Sequence, residues 1–164
     1  MKRAKEFVTL SWEHHDGLVF AFRLQQGLKN AADQHKMLEY IQYTWGNDLE
    51  HHFWQEEEIL TASLEETERG RELLQTMLDD HRYFRERIKQ FKLQSSFNPE
   101  TIKEFAGRLN QHIRFEEQKL FQYLEETLSP VKLKKIGDFL SEQHKQSDKC
   151  WTDQFWMIKS VKKK

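Results

Sequence analysis

The chain is short of the residues that interrupt helices and of those that staple folds together. Its 164 residues include 6 glycines, 2 prolines and 1 cysteine. A single cysteine excludes an internal disulfide and fits a reducing compartment, the cytoplasm. So few glycines and prolines leave little material for sheet turns, and β-branched residues are sparse, so helices are expected throughout. No run of about 18 apolar residues occurs. With a mean hydropathy of −0.89, no membrane span is expected, and no basic-then-apolar leader is apparent at the start. The formal net charge of −1 gives no electrostatic reason to expect nucleic acid. Cys150, between Lys149 and Trp151, has no neighbouring histidine to activate it, so a packing role is expected. The closing KSVKKK reads as a solvated basic end.

What is present is helix punctuation. Ser11 is placed to cap a first helix running to about Leu28. KNAAD reads as a connection, and a second helix runs from about Gln34 to Ser63, loosened near WGND. A third covers about Thr67 to Leu93. SSFNP is a break in which Asn98 caps and Pro99 opens a fourth helix to about Thr127. Ser129–Pro130 repeats that signal for a fifth helix to about Gln146, and the aromatic CWTDQFWMI is expected to pack over one end. The expected fold is all-α: an up-down antiparallel four-helix bundle in one domain, 1–164, with the bundle at 8–128 and a C-terminal helix and tail at 129–164.

Steps of three and four residues trace the inward faces. In the fourth helix they pass through Ile102, Phe105, Leu109, His112, Glu116, Leu120 and Tyr123. In the third they pass through Leu74, Met77, His81, Phe84, Ile88 and Phe91; in the second, through Leu38, Ile41, Trp45, Leu49, His52, Glu56 and Leu60. The second and fourth helices read as copies, with His52 over His112, Glu56 over Glu116 and Glu57 over Glu117. The first and third pair more loosely, Leu18 over Phe84 and Phe22 over Ile88. That alignment selects His15 as the inward histidine of the first helix. The stripe Leu10, His14, Leu18, Ala21 leaves His14 open as the other choice, since neighbours cannot both face the core.

An ionised carboxylate buried without partners is costly. Two such glutamates and several inward histidines at one depth are explained by a bound cation. Imidazole nitrogens and carboxylate oxygens form a mixed donor set suited to iron, and each i, i+4 pair lies on one helix face. Four histidines and two bridging carboxylates supply about eight bonds, against about twelve for two six-coordinate irons. A bridging oxygen supplies about two more and leaves roughly two positions open, as in a reactive centre rather than a closed structural one.

The segments EHHDGL, HHFWQEEEIL, LDDHRYF and QHIRFEEQKLF together resemble the hemerythrin-like, His-His-Glu cation-binding family in order and spacing, over about residues 8–128. The resemblance implies a four-helix bundle around a non-haem centre of two Fe ions, oxo- or hydroxo- and carboxylate-bridged. Carried over by position, the ligands are His15, His52, Glu56, His81, His112 and Glu116, with both glutamates as bridges. Zinc, nickel or manganese would be accepted by the same donors. Ferritin-like bundles carry Glu-x-x-His instead, the reverse order.

Two departures separate the chain from oxygen-carrying hemerythrins. Met77 stands where they carry a further histidine, and Glu116 stands four residues after His112 where they carry an aspartate one residue further on. Both match the branch of sensors and iron-handling proteins and argue against reversible oxygen transport. The expected function is therefore binding or sensing of dioxygen, nitric oxide or iron redox state. The alternative is a di-iron enzyme acting on peroxide or oxygen, or an iron donor for iron–sulfur cluster repair; the last usually carries an N-terminal cysteine motif, which this sequence lacks. Glu57, Glu58 and Glu117 read as a solvated acidic face. His51, with Gln55 four residues on, reads as outside the ligand set, and His35 and His144 as surface residues. Trp45, Trp54, Trp151 and Trp156 read as core or end-cap residues.

Overall fold

Helix ends in this chain are set by a few side chains that satisfy orphan amides, and those side chains lie where the sequence puts them. The computed structural model describes residues 2–147 and 150–157; Ile158 and the basic end at 159–164 lie outside them. Among the described residues there are five helical rods and no strand. A 3-10 turn, Lys5–Phe7, leads into α1, Val8–Lys29. The second rod, α2, covers 34–64 and starts where the Asp33 carboxylate accepts the amides of His35 and Lys36. α3 is Glu68–Leu93, capped by Thr67 on the Gly70 amide. α4 covers 99–127, with Asn98 accepting from the Glu100 amide ahead of Pro99. α5 is Pro130–Gln143, capped by Ser129.

Two boundaries differ from expectation. Ser11 does not cap α1, which has already begun at Val8; the start is fixed instead by Phe7, fully buried in the core. The Ser11 hydroxyl is spent on Glu117, at 2.7 Å. α5 ends at Gln143 rather than Gln146. Both long rods contain one π turn: Trp45–Leu49, at the loosened WGND, and Glu116–Leu120. The extra residue in the second π turn rotates the rest of α4 by about 100° around the axis. Phe121 and Leu124 therefore become the buried residues, while Tyr123 is only half-buried and shares a hydrogen bond with the Thr67 hydroxyl.

α1 packs along α4, α2 along α3, and α5 lies against the 3-10 turn and α2. The apolar interior is in two parts. One gathers Phe20, Ile41, Phe84, Phe91 and Phe105; the other gathers Phe7, Leu60, Met77, Leu120 and Phe121. Burial of each such side chain contributes roughly 1.5–3 kcal/mol. A polar layer separates the two parts on all four rods. The aromatic tail packs over the first part: Phe155 is buried, and its ring sits 2.7 Å from where a Cβ on Gly27 would stand, so only glycine fits there. Trp151 and Trp156 lie on Tyr40, ring centres 5.2 and 5.4 Å away. Trp45 is buried, but Trp54 is 39% exposed and touches Phe139 from outside, so it is neither core nor end cap. Cys150 is exposed rather than packed, and its amide donates to the Tyr43 hydroxyl.

Candidate metal centre

The polar layer consists of His14, His52, Glu56, His81, His112 and Glu116, all buried. Five of the six are residues singled out by the stripes. The sixth is a correction: the structure brings in His14, not His15, which is exposed. The physical reason is small residues. With His14 inward, the α1 stripe continues through Gly17, Ala21 and Leu24, all buried. These positions are small because α1 lies close to α4; a Cβ on Gly17 would stand 3.0 Å from Ile113 Cδ1. The larger Leu18 and Phe22, which suggested the other register, flank the stripe, and Phe22 is 56% exposed. In the true register His14 lies over His81 and Gly17 over Phe84.

The six side chains form two groups of four potential ligands, His14–His52–Glu56–Glu116 and Glu56–His81–His112–Glu116, which share both glutamates. Each glutamate turns one oxygen to each group. Glu56 Oε1 faces His52 Nε2 at 3.1 Å and His14 Nε2 at 3.4 Å, while its Oε2 faces His81 Nε2 at 3.3 Å. Glu116 Oε2 faces His14 Nε2 at 2.9 Å, and its Oε1 faces His112 Nε2 at 3.2 Å and His81 Nε2 at 3.7 Å. The Nε2 atoms of His14, His81 and His112 and all four carboxylate oxygens are buried without a directed hydrogen bond. Buried polar atoms left in that state need another partner. Cations between the imidazoles and the carboxylates would satisfy all of them, so the residues fit the metals that the pattern implied.

A ring of acids, missed in the sequence, surrounds this cluster. The Nδ1 of His52 donates to Glu13 at 2.8 Å, that of His81 to Glu57 at 2.7 Å, that of His112 to Asp80 at 3.2 Å and that of His14 to Glu117 at 2.7 Å. Each acid sits on the rod before that of its histidine, with α4 closing back onto α1. A carboxylate accepts only, so a proton is fixed on Nδ1, and Nε2, facing inward, is the nitrogen left to serve as a metal ligand. Glu57 and Glu117 are thus half-buried orienting groups rather than a solvated face, whereas Glu58 is exposed. The signal was local: two of these acids immediately follow Glu56 or Glu116 and two immediately precede an inward histidine. His51 stays outside the cluster, with its Nε2 on the Gln143 carbonyl at 2.7 Å, and His35 pairs with Glu39 at the surface.

Charge follows geometry. Burial disfavours the imidazolium of His14, but Glu116, Glu117 and Glu56 outweigh it and hold the pKa well above the ordinary value. His81 is raised in the same way against burial by Glu116, Glu56 and Glu57, and His52 to about 9 by Glu56 and Glu13. Burial would raise the Glu56 carboxyl, yet His52, His14 and His81 hold it well below the usual range. Glu117, half-buried, falls to about 2 under His14, Ser11 and Arg3. Without metal, these shifts favour the protonated forms of His14, His52 and His81. Beside the cluster, Glu13, His52, Gly17, Thr44 and Trp12 border a cavity of about 440 Å3, which residues 144–147 also line. His144 is exposed, as expected, and its Nδ1 lies 3.4 Å from Glu13.

Residues 7–124 match the family model described as the hemerythrin HHE cation binding domain. No curated protein and no solved structure matched the chain. Among the described residues no helix is long and apolar enough to cross a membrane.

Proposed function

We propose, from the premise that the chain belongs to the hemerythrin HHE cation-binding domain family, that it holds two iron ions and uses them to bind or sense dioxygen, nitric oxide or the redox state of iron. The observation that carries this reading is the sharing of Glu56 and Glu116, each with one oxygen toward either pair of histidines. His14 and His52 would serve one ion, His81 and His112 the other, with the glutamates spanning both. Two irons so held would supply reversible electron transfer and open positions for a small ligand.

The chain's own residues do the rest. Glu13, Glu57, Asp80 and Glu117 hold the four imidazoles in one tautomer and orientation. Phe53 lies flat on His81, ring centres 4.0 Å apart, and Phe84 meets His112 at 5.7 Å, so water is kept from that side. Both bridging glutamates are fully buried, which strengthens their attraction for cations. The single cysteine supports a cytoplasmic setting.

A second reading is an enzyme acting on peroxide or oxygen. The cavity beside His52 favours it, because its volume far exceeds the roughly 30 Å3 taken by one water. One experiment separates the two. Anaerobically reduced, iron-loaded protein is exposed to oxygen, nitric oxide and hydrogen peroxide while its visible spectrum is recorded. A stable adduct that reverses on removing the gas supports binding; repeated turnover with product supports the enzyme. Metal analysis tests the shared premise, since iron content unchanged in both His112→Ala and Glu116→Ala proteins rules out these ligands.

A further inference from the structure

The two halves of the polar layer repeat each other, and the repeat shows what one of them lacks. On α3, Arg85 stands one turn after His81 and its guanidinium pairs with Glu57 at 2.7 Å, the acid that orients His81. On α4, Arg108 stands one turn before His112 and pairs at 2.9 Å with Asp80, the acid that orients His112. The corresponding places around His14 and His52 are Leu18 and Asp48, neither of them basic. Glu13 is served instead by the neutral amide of Gln55, at 3.3 Å. Glu117 is served by an arginine from outside the repeat altogether.

That arginine is Arg3, on the segment ahead of the 3-10 turn. Its Nη2 lies 2.9 Å from Glu117 Oε2 and also donates to the Glu117 carbonyl, and its Nε donates to the same carboxylate oxygen at 3.2 Å. Nη1 reaches Glu125 at 2.7 Å, and the Ala4 amide donates to that oxygen at 3.0 Å, which fixes the arm. The guanidinium also lies 5.4 Å from the ring centre of Phe121, which stacks on His14 at 5.4 Å. Arg3 therefore holds both groups that hold His14. A planar fork bonded twice to one residue is geometry that lysine cannot reproduce.

We propose that Arg3 is a positioning residue of the metal centre, acting on His14 through Glu117 and Phe121 in the place that Arg85 fills for His81. This rests on the two-metal reading of the cluster. It makes the His14 side depend on a residue more than a hundred positions away from the acid it holds, and ties the N-terminal arm to metal retention.

The test measures release of cobalt(II) from the loaded full-length chain to EDTA. In Arg3→Ala, one of the two ions should leave on the order of ten-fold faster, as removal of an outer partner does, while the content at saturation stays at the wild-type level. Arg3→Lys should recover only part of the difference. In the double variant Arg3→Ala/Leu18→Arg, which restores an arginine one turn after His14, slow release should return. Unchanged release from Arg3→Ala overturns the assignment. So does a double variant as fast as Arg3→Ala. So does equal acceleration of both ions with a matching loss of stability in the metal-free protein, which would make Arg3 a clasp of the fold alone. Failure of wild-type protein to take up two ions would instead remove the two-metal reading itself.

Discussion

The position framed by His81 and His112 and the position framed by His14 and His52 are built from the same parts and finished differently. Both have two imidazoles, a shared pair of glutamates and an acid behind each ring. The first is closed: Phe53 covers His81, Phe84 borders His112, and arginines on the bundle's own rods hold both acids. The second is assembled from borrowed pieces. Gly17 replaces the phenylalanine, a cavity reaches His52, one acid relies on Arg3 from the arm, and the other has Gln55 with His144 nearby. A repeat of ligands does not impose a repeat of surroundings. The inner residues must supply the donors that a cation requires, whereas the outer ones need only supply a charge or a volume from wherever the chain passes.

Removing what the halves share is expected to have the largest effect. Glu56→Ala should abolish binding at both positions, with metal content by elemental analysis near zero; one retained ion would mean that the glutamate serves only one side. Acidity should separate metal-bound from metal-free protein next most strongly. The pKa of His52, raised to about 9 above an ordinary value of about 6.5, stabilises metal-free protein fully below the lower value. That contribution is lost as pH rises through the upper one. Melting temperatures of metal-free protein should therefore fall over that interval. Metal affinity should climb over it, with protons released on loading near neutrality and fewer released above pH about 9. A metal-free melting temperature that rises across the window contradicts the charge state described.

Phe84→Ala in the closed half should cost about 3–5 kcal/mol in chemical denaturation. Glu57→Gln and Glu117→Gln should each weaken one ion by roughly 10- to 100-fold, Glu57→Gln acting on the His81 side and Glu117→Gln on the His14 side; two variants with the same spectral change in cobalt-loaded protein would erase the distinction between halves. The smallest effect belongs to Gly17→Ala. A helical alanine gains up to about 1 kcal/mol over glycine, and the Ile113 methyl 3.0 Å away takes some of it back. Stability should shift by less than about 1 kcal/mol, and a loss of several would show that the contact cannot relax.

The rods and three of the four inward faces were legible because large apolar residues mark them at helical spacing. Leu74, Met77, His81, Phe84, Ile88 and Phe91 are all buried as read. The face of α1 was misread because its inward positions are Gly17 and Ala21, whose smallness serves close packing and is invisible to a hydrophobic pattern. Tyr123 was misplaced because the π turn at EEQKL, unlike the one at WGND, contains no glycine or asparagine to mark it. The orienting acids were missed for another reason. They stand one residue away from the stripe, on the helix flank, where an acid facing a neighbouring rod looks the same in sequence as one facing water. Arg3 could not have been found at all, since nothing local links it to Glu117.

The polar layer also divides the apolar interior in two, Phe7 and Leu120 on one side and Phe20 and Phe105 on the other. An interior cut in this way has two places from which to come apart, because neither part relies on direct contact with the other. Local opening can begin at either end of the bundle and run as far as its waist. Ions at the waist would stop both openings there. Amide exchange in the loaded protein should then be slowest midway along the four rods and quicken toward each end.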